Sequence, residues 1–237
     1  MTSFALKLIA VIAMITDHTA VAFRLDLPDG VQLAMRSTGR IAMPIFCFLI
    51  AEGLFHTKSV KKYAGRLLIF AVLSEVPFDL LVHGRLWNTN TQNVFFTLFL
   101  GLLGILCFDI CLARGQQFLA LFSIVMAGAL ALLLQTDYGP FGVFFIFAFY
   151  AFRGNKSAMF FMFSLGVMTL TLVEAMAYKS LSIYSLISMF ELAALIPIWL
   201  YNGKKGLGNR IVKYGFYVFY PAHLLVLFAL QSLLSFR

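Results

Sequence analysis

Asp17 and His18 stand side by side inside the first long apolar run of the chain, residues 4–23. An ionisable side chain near the middle of a membrane helix costs about 2.5–3.5 kcal/mol on insertion scales, so such a residue normally marks a functional site. A histidine in that position can accept or release a proton near neutral pH. The pair therefore predicts a site for proton transfer.

Other ionisable residues inside apolar segments stand close to prolines. They are Arg40 four residues before Pro44, Glu75 and Asp79 on either side of Pro77, and His223 two residues after Pro221. Glu75 and Asp79 share one helix face because residues four apart stack. A proline frees a backbone carbonyl, and in a membrane that carbonyl needs a partner or a polar cavity. We therefore expect these groups to line one polar cavity together with Asp17 and His18.

The elements that carry these residues are predicted to be transmembrane helices. The chain has 237 residues, of which 62% are hydrophobic and 12% charged, against about 25% charged in average proteins. The apolar runs are continuous over about 17–20 residues, which favours helices over the alternating pattern of a β-barrel. We predict an all-α, polytopic transmembrane helix bundle that forms a single domain, residues 1–237. Nine spans are predicted, at residues 4–23, 37–55, 67–83, 94–113, 118–135, 140–153, 158–177, 182–201 and 214–234.

Basic residues predict how the bundle is oriented. The net charge is +8, and eleven of the eighteen lysines and arginines fall in four short loops on one side of a nine-span chain. The positive-inside rule then places the N-terminus in the cytoplasm and the C-terminus outside. The polar cavity falls in the outer half, between spans one, two, three and nine. The positive-inside rule also explains the net charge of +8, so the basic residues do not require a nucleic-acid partner. The expected location is a cell membrane, which the chain crosses several times with membrane lipid as partner.

Two of the basic groups offer a second kind of chemistry. One group lies in the glycine-flanked turn 201–206 and contains Lys204 and Lys205. The other lies in the loop 56–66 and contains Lys58, Lys61, Lys62 and Arg66. Lysines and backbone amides next to glycine can hold a phosphorylated cofactor. Anchoring to anionic lipid head groups explains the same lysines, so both interpretations stay open at this point.

A metal site is not expected. Cys107 and Cys111 are one helical turn apart, which would suit two metal ligands, but no histidine or third cysteine accompanies them. Their place in an apolar run is typical of residues that pack between helices.

Several short motifs, in order along nearly the whole chain, resemble the TraX family. They are Lys7-Leu8-Ile9-Ala10 followed by Met14-Ile15-Thr16-Asp17-His18, then Gly39-Arg40-Ile41-Ala42-Met43-Pro44-Ile45-Phe46, Asn93-Val94-Phe95-Phe96, Asp137-Tyr138-Gly139 with Gly142, Tyr201-Asn202-Gly203-Lys204, and Phe219-Tyr220-Pro221-Ala222-His223. That family is similar to the pilin acetylases of conjugative plasmids. It looks related to transmembrane acyltransferases such as heparan-α-glucosaminide N-acetyltransferase.

The resemblance implies transfer of an acetyl group from cytoplasmic acetyl-CoA to an acceptor across the membrane. The stretch Ser74-Glu75-Val76-Pro77-Phe78-Asp79 departs from the plasmid pilin acetylase. The acceptor therefore stays open between a pilin-like N-terminus, a surface glycan and another exported amine or hydroxyl.

Acyl transfer needs a base for the acceptor and a group that stabilises the thioester oxyanion. His18 is the expected base. Neighbouring residues on a helix point about 100° apart, so Asp17 is expected to pair with Arg40 rather than to orient His18. The carboxylate that orients His18 is then expected to be Asp79 or Glu75.

The remaining roles follow from the resemblance as expectations. His223 is the competing base, or the residue that carries a transient acetyl group. Arg40, Asn93 or Tyr138 would stabilise the oxyanion. Asp17, Asn93 and Tyr138 are also candidates for acceptor or structural support. The residues expected to contact coenzyme A are Lys62, Arg66, Asn202, Lys204 and Lys205.

Two other classes of protein stay open. Buried carboxylates and histidines also build proton relays, which would suit a proton-coupled transporter, although the sequence contains no inverted repeat and no matching pair of broken helices. A non-catalytic membrane chaperone or assembly factor would need no base at His18. The sequence leaves the oligomeric state open, a homo-oligomer included.

Overall fold

The computed structural model describes residues 1–177 and 186–235. Over these residues the regular structure is helical and contains no named strand. The elements are α1 Ser3–Ala22, α2 Asp29–Gly39, α3 Ala42–His56, α4 Val60–His83, α5 Val94–Ala113, α6 Gln117–Leu133, α7 Gly139–Ala151, α8 Lys156–Ala177, a 3₁₀ helix Ile187–Ala194, α9 Leu195–Trp199 and α10 Arg210–Ser235. The all-α prediction is confirmed.

Several of these helices are long and apolar enough to cross a membrane. Within the described residues five segments meet that requirement by length and composition: Ser3–Ala22, Asp29–His56, Val94–Ala113, Lys156–Ala177 and Ile211–Leu234. Three further apolar helices are shorter, at Gln117–Leu133, Gly139–Ala151 and Ile187–Trp199. The start of the predicted eighth span, residues 182–185, lies outside the described residues. Nine crossings and the orientation of the termini stay predictions.

Polar side chains mark where several helices begin. Thr2, Asn93, Asn155 and Asn209 each accept a hydrogen bond from a backbone N–H in the first turn that follows them. Such caps satisfy donors that have no partner within the helix. At the other end of α5, the left-handed Gly115 (φ 73°) lets the N–H groups of Gly115 and Gln116 close back on the last turn. These local signals agree with the predicted segment 94–113.

The second predicted span is interrupted in the structure. α2 begins at Asp29 and ends at Gly39, and α3 begins at Ala42, so the helix is interrupted at Arg40 and Ile41. The reason is Pro44, which has no N–H to donate to residue 40 and whose ring would clash with that residue's carbonyl in a continuous helix. Pro77 and Pro221, by contrast, lie inside the continuous helices α4 and α10.

The chain divides into two compact units. The first contains residues 1–46, 73–88 and 167–237, and the second contains residues 47–72 and 89–166. In the first unit α1 packs against α2 and α10, and α2 packs against the 3₁₀ helix. The single-domain assignment for residues 1–237 stays a prediction.

The C-terminal half of α4 has its polar face inward. Ser74, Glu75 and Asp79 are 0%, 4% and 0% exposed, whereas Leu73 and Val76 are 58% and 39% exposed. A helix in water places these residue types the other way round. The inverted pattern is what a lipid environment requires, because only the bundle interior can satisfy the carboxylates there.

In the second unit α5, α6 and α7 pack together around small side chains. Leu100, Ala127, Ala131 and Val143 form a buried cluster. A methyl group added at Gly104 would touch the side chain of Ala127, so the two backbones come close to each other. Close approach through small residues is how apolar helices gain packing energy in lipid.

Candidate active site

The structure distributes the predicted site residues over both units. The first unit contains Asp17, His18, Arg40, Glu75, Asp79, Asn202, Lys204, Lys205 and His223, and the second contains Lys62, Arg66, Asn93 and Tyr138. The proposed catalytic groups from spans one, two, three and nine therefore share one unit.

The two histidines that compete as the catalytic base contact each other directly. His18 lies on α1 and His223 on α10. The Nδ1 atom of His18 and the Nε2 atom of His223 are 2.7 Å apart, and the two rings stack with their centroids 5.0 Å apart. His223 is only 8% exposed. The sequence presented the two residues as alternatives, and the fold makes them one pair.

A backbone carbonyl determines which nitrogen carries each proton. The Nδ1 atom of His223 lies 3.0 Å from the carbonyl oxygen of Phe219, which can only accept a hydrogen bond. With neutral rings, His223 therefore donates through Nδ1 and accepts through Nε2, so His18 donates through Nδ1. The nitrogen of His18 that carries a lone pair is then Nε2. No described residue hydrogen-bonds to that atom, so its lone pair is available to accept a proton.

Aromatic rings hold the pair in place. Phe219 stacks on His223 with the ring centroids 5.1 Å apart. Tyr220 meets both imidazoles edge-on, at 6.0 Å from His18 and 5.6 Å from His223. One turn of α10 thus supplies the orienting carbonyl and two packing rings. The motif Phe219 to His223 in the sequence is explained by this arrangement.

Asp17 pairs with Arg36, and this corrects the predicted pair with Arg40. An Nη1–H group of Arg36 donates to the Oδ2 atom of Asp17 at 2.7 Å, and both side chains are about three-quarters buried. Arg40 caps the end of α2 and acts on Asp17 only through longer-range electrostatics. The prediction failed because the second span was taken to begin at residue 37, which left Arg36 in a loop.

Gly39 explains why Arg36 reaches Asp17. Gly39 is three residues after Arg36, so both lie on the same face of α2. A side chain at Gly39 would collide with the Cβ atom of Asp17. The bare backbone at this position lets α2 lie against α1, and Arg36 then reaches the carboxylate one turn earlier along α2. In the Gly39-Arg40 motif, Gly39 therefore allows the two helices to pack and Arg40 lies at the C-terminal cap of α2.

Neither predicted carboxylate orients His18. The Oδ2 atom of Asp79 accepts a hydrogen bond from the backbone N–H of Asn88 at 2.8 Å, which ties the loop after α4 to that helix. Glu75 is buried one turn earlier and is not hydrogen-bonded to His18. The side chain hydrogen-bonded to His18 is His223, which was predicted as the competing base.

Asn93 and Tyr138 have structural positions in the second unit. The Asn93 amide accepts from the N–H of Phe95 at 3.1 Å and donates to the carbonyl of Ala71 at 2.7 Å. These bonds cap α5 and tie it to α4. The expected oxyanion role of Asn93 stays a prediction. Tyr138 precedes α7 in a left-handed conformation (φ 61°), which a bulky residue adopts only when its surroundings hold it there.

The predicted coenzyme A loop is tied to the start of α1. The N–H groups of Ser3 and Phe4 donate to the carbonyls of Lys204 and Lys205, at 2.9 and 3.2 Å. The Oδ1 atom of Asn202 accepts from the N–H of Lys204 at 3.1 Å, so Asn202 shapes the turn. The two lysine side chains are exposed beside the first turn of α1.

Two lysines missed by sequence reasoning join Lys205. Lys7, which is half-buried, interacts electrostatically with Lys205 and Lys213, and its ammonium group lies 5.4 Å from the ring centroid of Phe216. Lys7, Lys204 and Lys205 form no ion pair with any described residue. Positive charge is therefore concentrated where the N-terminal ends of α1 and α10 lie side by side. We call Lys7, Lys204, Lys205 and Lys213 the lysine cluster.

The other predicted coenzyme A residues, Lys62 and Arg66, lie on α4 in the second unit. The Arg66 guanidinium lies over the ring of Tyr63, 5.6 Å from its centroid. Arg66 therefore packs against an aromatic ring one turn earlier on the same helix.

Fold and site together define an all-helical protein with membrane-length helices and a hydrogen-bonded histidine pair between two of them. The chain belongs to the TraX family, because the family model described as TraX protein matches residues 3–231. The resemblance found in the motifs is thus confirmed. The chain is also 31% identical over 248 residues to the probable fimbrial assembly protein FimC, serogroup H1, of Dichelobacter nodosus, with 99% of this chain and 97% of that protein covered. No solved structure gives a significant match.

Proposed function

We propose that the protein is a membrane-embedded acyltransferase that moves an acetyl group from cytoplasmic acetyl-CoA to an acceptor at the outer side of the bacterial cytoplasmic membrane. The observation that carries this proposal is the His18–His223 hydrogen bond, 2.7 Å long, which leaves the Nε2 atom of His18 as a base. Membership of the TraX family and the name of the fimbrial assembly relative support a pilin-like N-terminus as acceptor. A surface glycan is the second candidate acceptor.

The chemical step follows from the protonation of the pair. The acceptor amine attacks the thioester carbonyl carbon, so a C–N bond forms and the C–S bond breaks. The Nε2 atom of His18 takes the proton that the amine loses and transfers it to the departing sulfur. The products are the acetylated amine and the free thiol of coenzyme A. An acceptor hydroxyl would react in the same way through oxygen.

His223 acts as a positioning residue in this step. When His18 holds the extra proton, its Nδ1–H still donates to the Nε2 atom of His223, and the hydrogen bond becomes charge-assisted. The carbonyl of Phe219 holds His223 in the tautomer that can accept. A second imidazole thus takes the role that a carboxylate has in the serine protease triad.

Positive charge beside the pair would stabilise the oxyanion. Arg36 is close enough to His18 to interact with it electrostatically, and it is held in place by Asp17. A fixed cation in a site with little water stabilises developing negative charge more than it would in solution. We assign this role to Arg36, with Arg40 one turn away as the second cation.

The lysine cluster would bind the phosphates of acetyl-CoA. Lys7 and His18 are eleven residues apart on α1, about 16 Å along the helix axis. The donor would therefore extend from the lysine cluster toward the histidine pair along α1 and α10. In this arrangement the lysine cluster faces the cytoplasm, with the N-terminus inside and the C-terminus outside. Asn202, Lys62 and Arg66 remain additional proposed contacts to the donor.

The test is acetyl transfer by purified protein in lipid nanodiscs, supplied with radiolabelled acetyl-CoA and a peptide that has a free N-terminal amine. Removal of a general base costs about 10²- to 10⁴-fold in rate, and we expect a loss of that size in His18→Ala. His56→Gln is the matched control, because His56 is half-exposed and its partner Glu52 keeps its ion pair with Arg153. Full turnover by His18→Ala would remove His18 from the mechanism. Solute uptake into proteoliposomes without turnover of acetyl-CoA would instead support a transporter.

A further inference from the structure

A cavity of about 470 Å³ opens in the first unit at the C-terminal ends of three helices. Its walls come from the ends of α1, α4 and α10, and they are Val21, Arg24, Leu80, Leu81, Val82, His83, Gly84, Phe228, Gln231 and Ser232. The volume falls in the range of about 300–1,000 Å³ that is usual for small-molecule pockets. None of these residues was predicted to form a site.

The cavity begins about one helical turn beyond the histidine pair. Val21 follows His18 by three residues on the same face of α1, about 4.5 Å further along the axis. On α10, Phe228 follows His223 by five residues, about 7.5 Å along the axis. The lysine cluster lies at the opposite ends of the same two helices. The histidine pair thus separates a basic end from a cavity end.

The lining combines apolar side chains with one arginine and three other polar side chains, His83, Gln231 and Ser232. Arg24 is the one arginine or lysine among the residues that line the cavity, which include no aspartate or glutamate. Arg24 is exposed and forms no ion pair with any described residue. Val21, Leu80, Leu81 and Phe228 supply the apolar surface. A guanidinium offers two parallel donors that match a carboxylate.

We propose that this cavity binds the acceptor as an apolar peptide segment, and that Arg24 binds a carboxylate carried close to its acetylated amine. The inference rests on the proposed function for the amine that reacts. The apolar part of the lining favours a peptide over a glycan, because a sugar has no apolar side chain to bury against leucine and phenylalanine. Arg24, with no carboxylate beside it in the lining, favours an acidic peptide over a neutral or basic one.

The test uses two peptides that differ only in charge, Ala-Leu-Leu-Glu-amide and Ala-Leu-Leu-Gln-amide, with full-length protein in nanodiscs and radiolabelled acetyl-CoA. The glutamine peptide has the same shape without the charge, so kcat/KM should favour the glutamate peptide about tenfold. In Arg24→Gln that ratio should fall to within about twofold of one. The matched control is Arg85→Gln, which removes the same charge from an exposed residue just outside the cavity lining and should keep the wild-type ratio.

Three outcomes of the transfer experiment would overturn the proposal. A ratio near one in the wild type, or a ratio that Arg24→Gln leaves intact, would exclude Arg24 as the carboxylate site. Transfer to glucosamine 6-phosphate but to neither peptide would identify a glycan-type acceptor instead.

Binding of the two peptides, measured without acetyl-CoA by thermal shift, separates this proposal from the proposed function. If no probe is acetylated but the wild type still binds the glutamate peptide more tightly and Arg24→Gln does not, acyl transfer fails and the cavity assignment stands. If neither peptide is preferred in binding or in transfer, the cavity assignment fails.

Discussion

The Nδ1 atom of His18 donates a hydrogen bond to the Nε2 atom of His223 across 2.7 Å, between residues 205 positions apart in the sequence. The second imidazole is oriented by the carbonyl of its own helix, at Phe219. A second imidazole therefore lies next to His18, where a carboxylate was expected from the sequence.

The acceptor nitrogen of His223 can be tested by substitution. His223→Ala removes the partner of His18 and should lower kcat about 10- to 100-fold, which is less than the loss expected for His18→Ala. In His223→Gln an amide oxygen can accept from His18, so part of the rate should return while KM for acetyl-CoA stays near the wild-type value. Radiolabelled acetyl transfer measures both constants. Equal rates for His223→Ala and His223→Gln would show that the hydrogen bond has no part in the reaction.

Asp79 is predicted to matter for the loop after α4 and not for the base. Asp79→Asn keeps an oxygen that can accept from the N–H of Asn88, so it should retain most of the activity. Asp79→Leu removes that acceptor and should destabilise the protein by about 1–3 kcal/mol, with faster hydrogen exchange at the Asn88 amide. Mass spectrometry of exchanged peptides covering residues 84–90 measures the second effect. A loss of activity in Asp79→Asn as large as that in His18→Ala would restore the carboxylate hypothesis.

Two glycines of α2 form a matched pair for a packing test. Gly39→Ala would place a methyl group against the Cβ atom of Asp17, and overpacking of this kind costs about 1–3 kcal/mol. Gly30→Ala meets nothing within 4 Å and should be neutral or stabilising by about 0.5–1 kcal/mol, because alanine favours a helix. Thermal unfolding in detergent compares the two. The same sign of effect for both variants would contradict the close approach of α2 to α1.

The Asp17–Arg36 pair should be visible in a double-mutant cycle. Residues that share a hydrogen bond show coupling energies of about 0.5–3 kcal/mol, so Asp17→Asn and Arg36→Gln should be clearly non-additive. The parallel cycle of Asp17→Asn with Arg40→Gln should give a smaller coupling, because Arg40 acts on Asp17 only at longer range. Unfolding free energies of the single and double variants provide both numbers. A larger coupling with Arg40 would favour the pair predicted from the sequence.

Neutralising the lysine cluster should weaken donor binding. Lys7→Gln and Lys205→Gln are expected to raise KM for acetyl-CoA several-fold with little change in kcat. The effect should shrink at high ionic strength, because salt screens exposed charges. Lys58→Gln, in the loop before α4, removes an exposed charge from the other unit and is the control. An unchanged KM in both cluster variants would leave anionic lipid as the partner of these lysines.

Local properties were readable from the sequence. The predicted segments 4–23 and 94–113 correspond to Ser3–Ala22 and Val94–Ala113, because continuous hydrophobicity and a capping residue are set by neighbouring positions. The unusual place of His18 was also readable, since an ionisable group in an apolar run is conspicuous without any coordinates. The break at Arg40 could not be predicted from Pro44 alone, because Pro77 and Pro221 lie inside continuous helices.

The partners of those residues were decided by the tertiary structure. Arg36, and not Arg40, reaches Asp17 because Gly39 lets two helices come close. His223, and not Asp79, orients His18 because α1 and α10 pack with one particular rotation about their axes. Hydropathy says which segments are helices, but it is nearly the same on every face of such a helix. The rotation of each helix depends on small differences in side-chain packing summed over its neighbours, and only the folded chain reveals them.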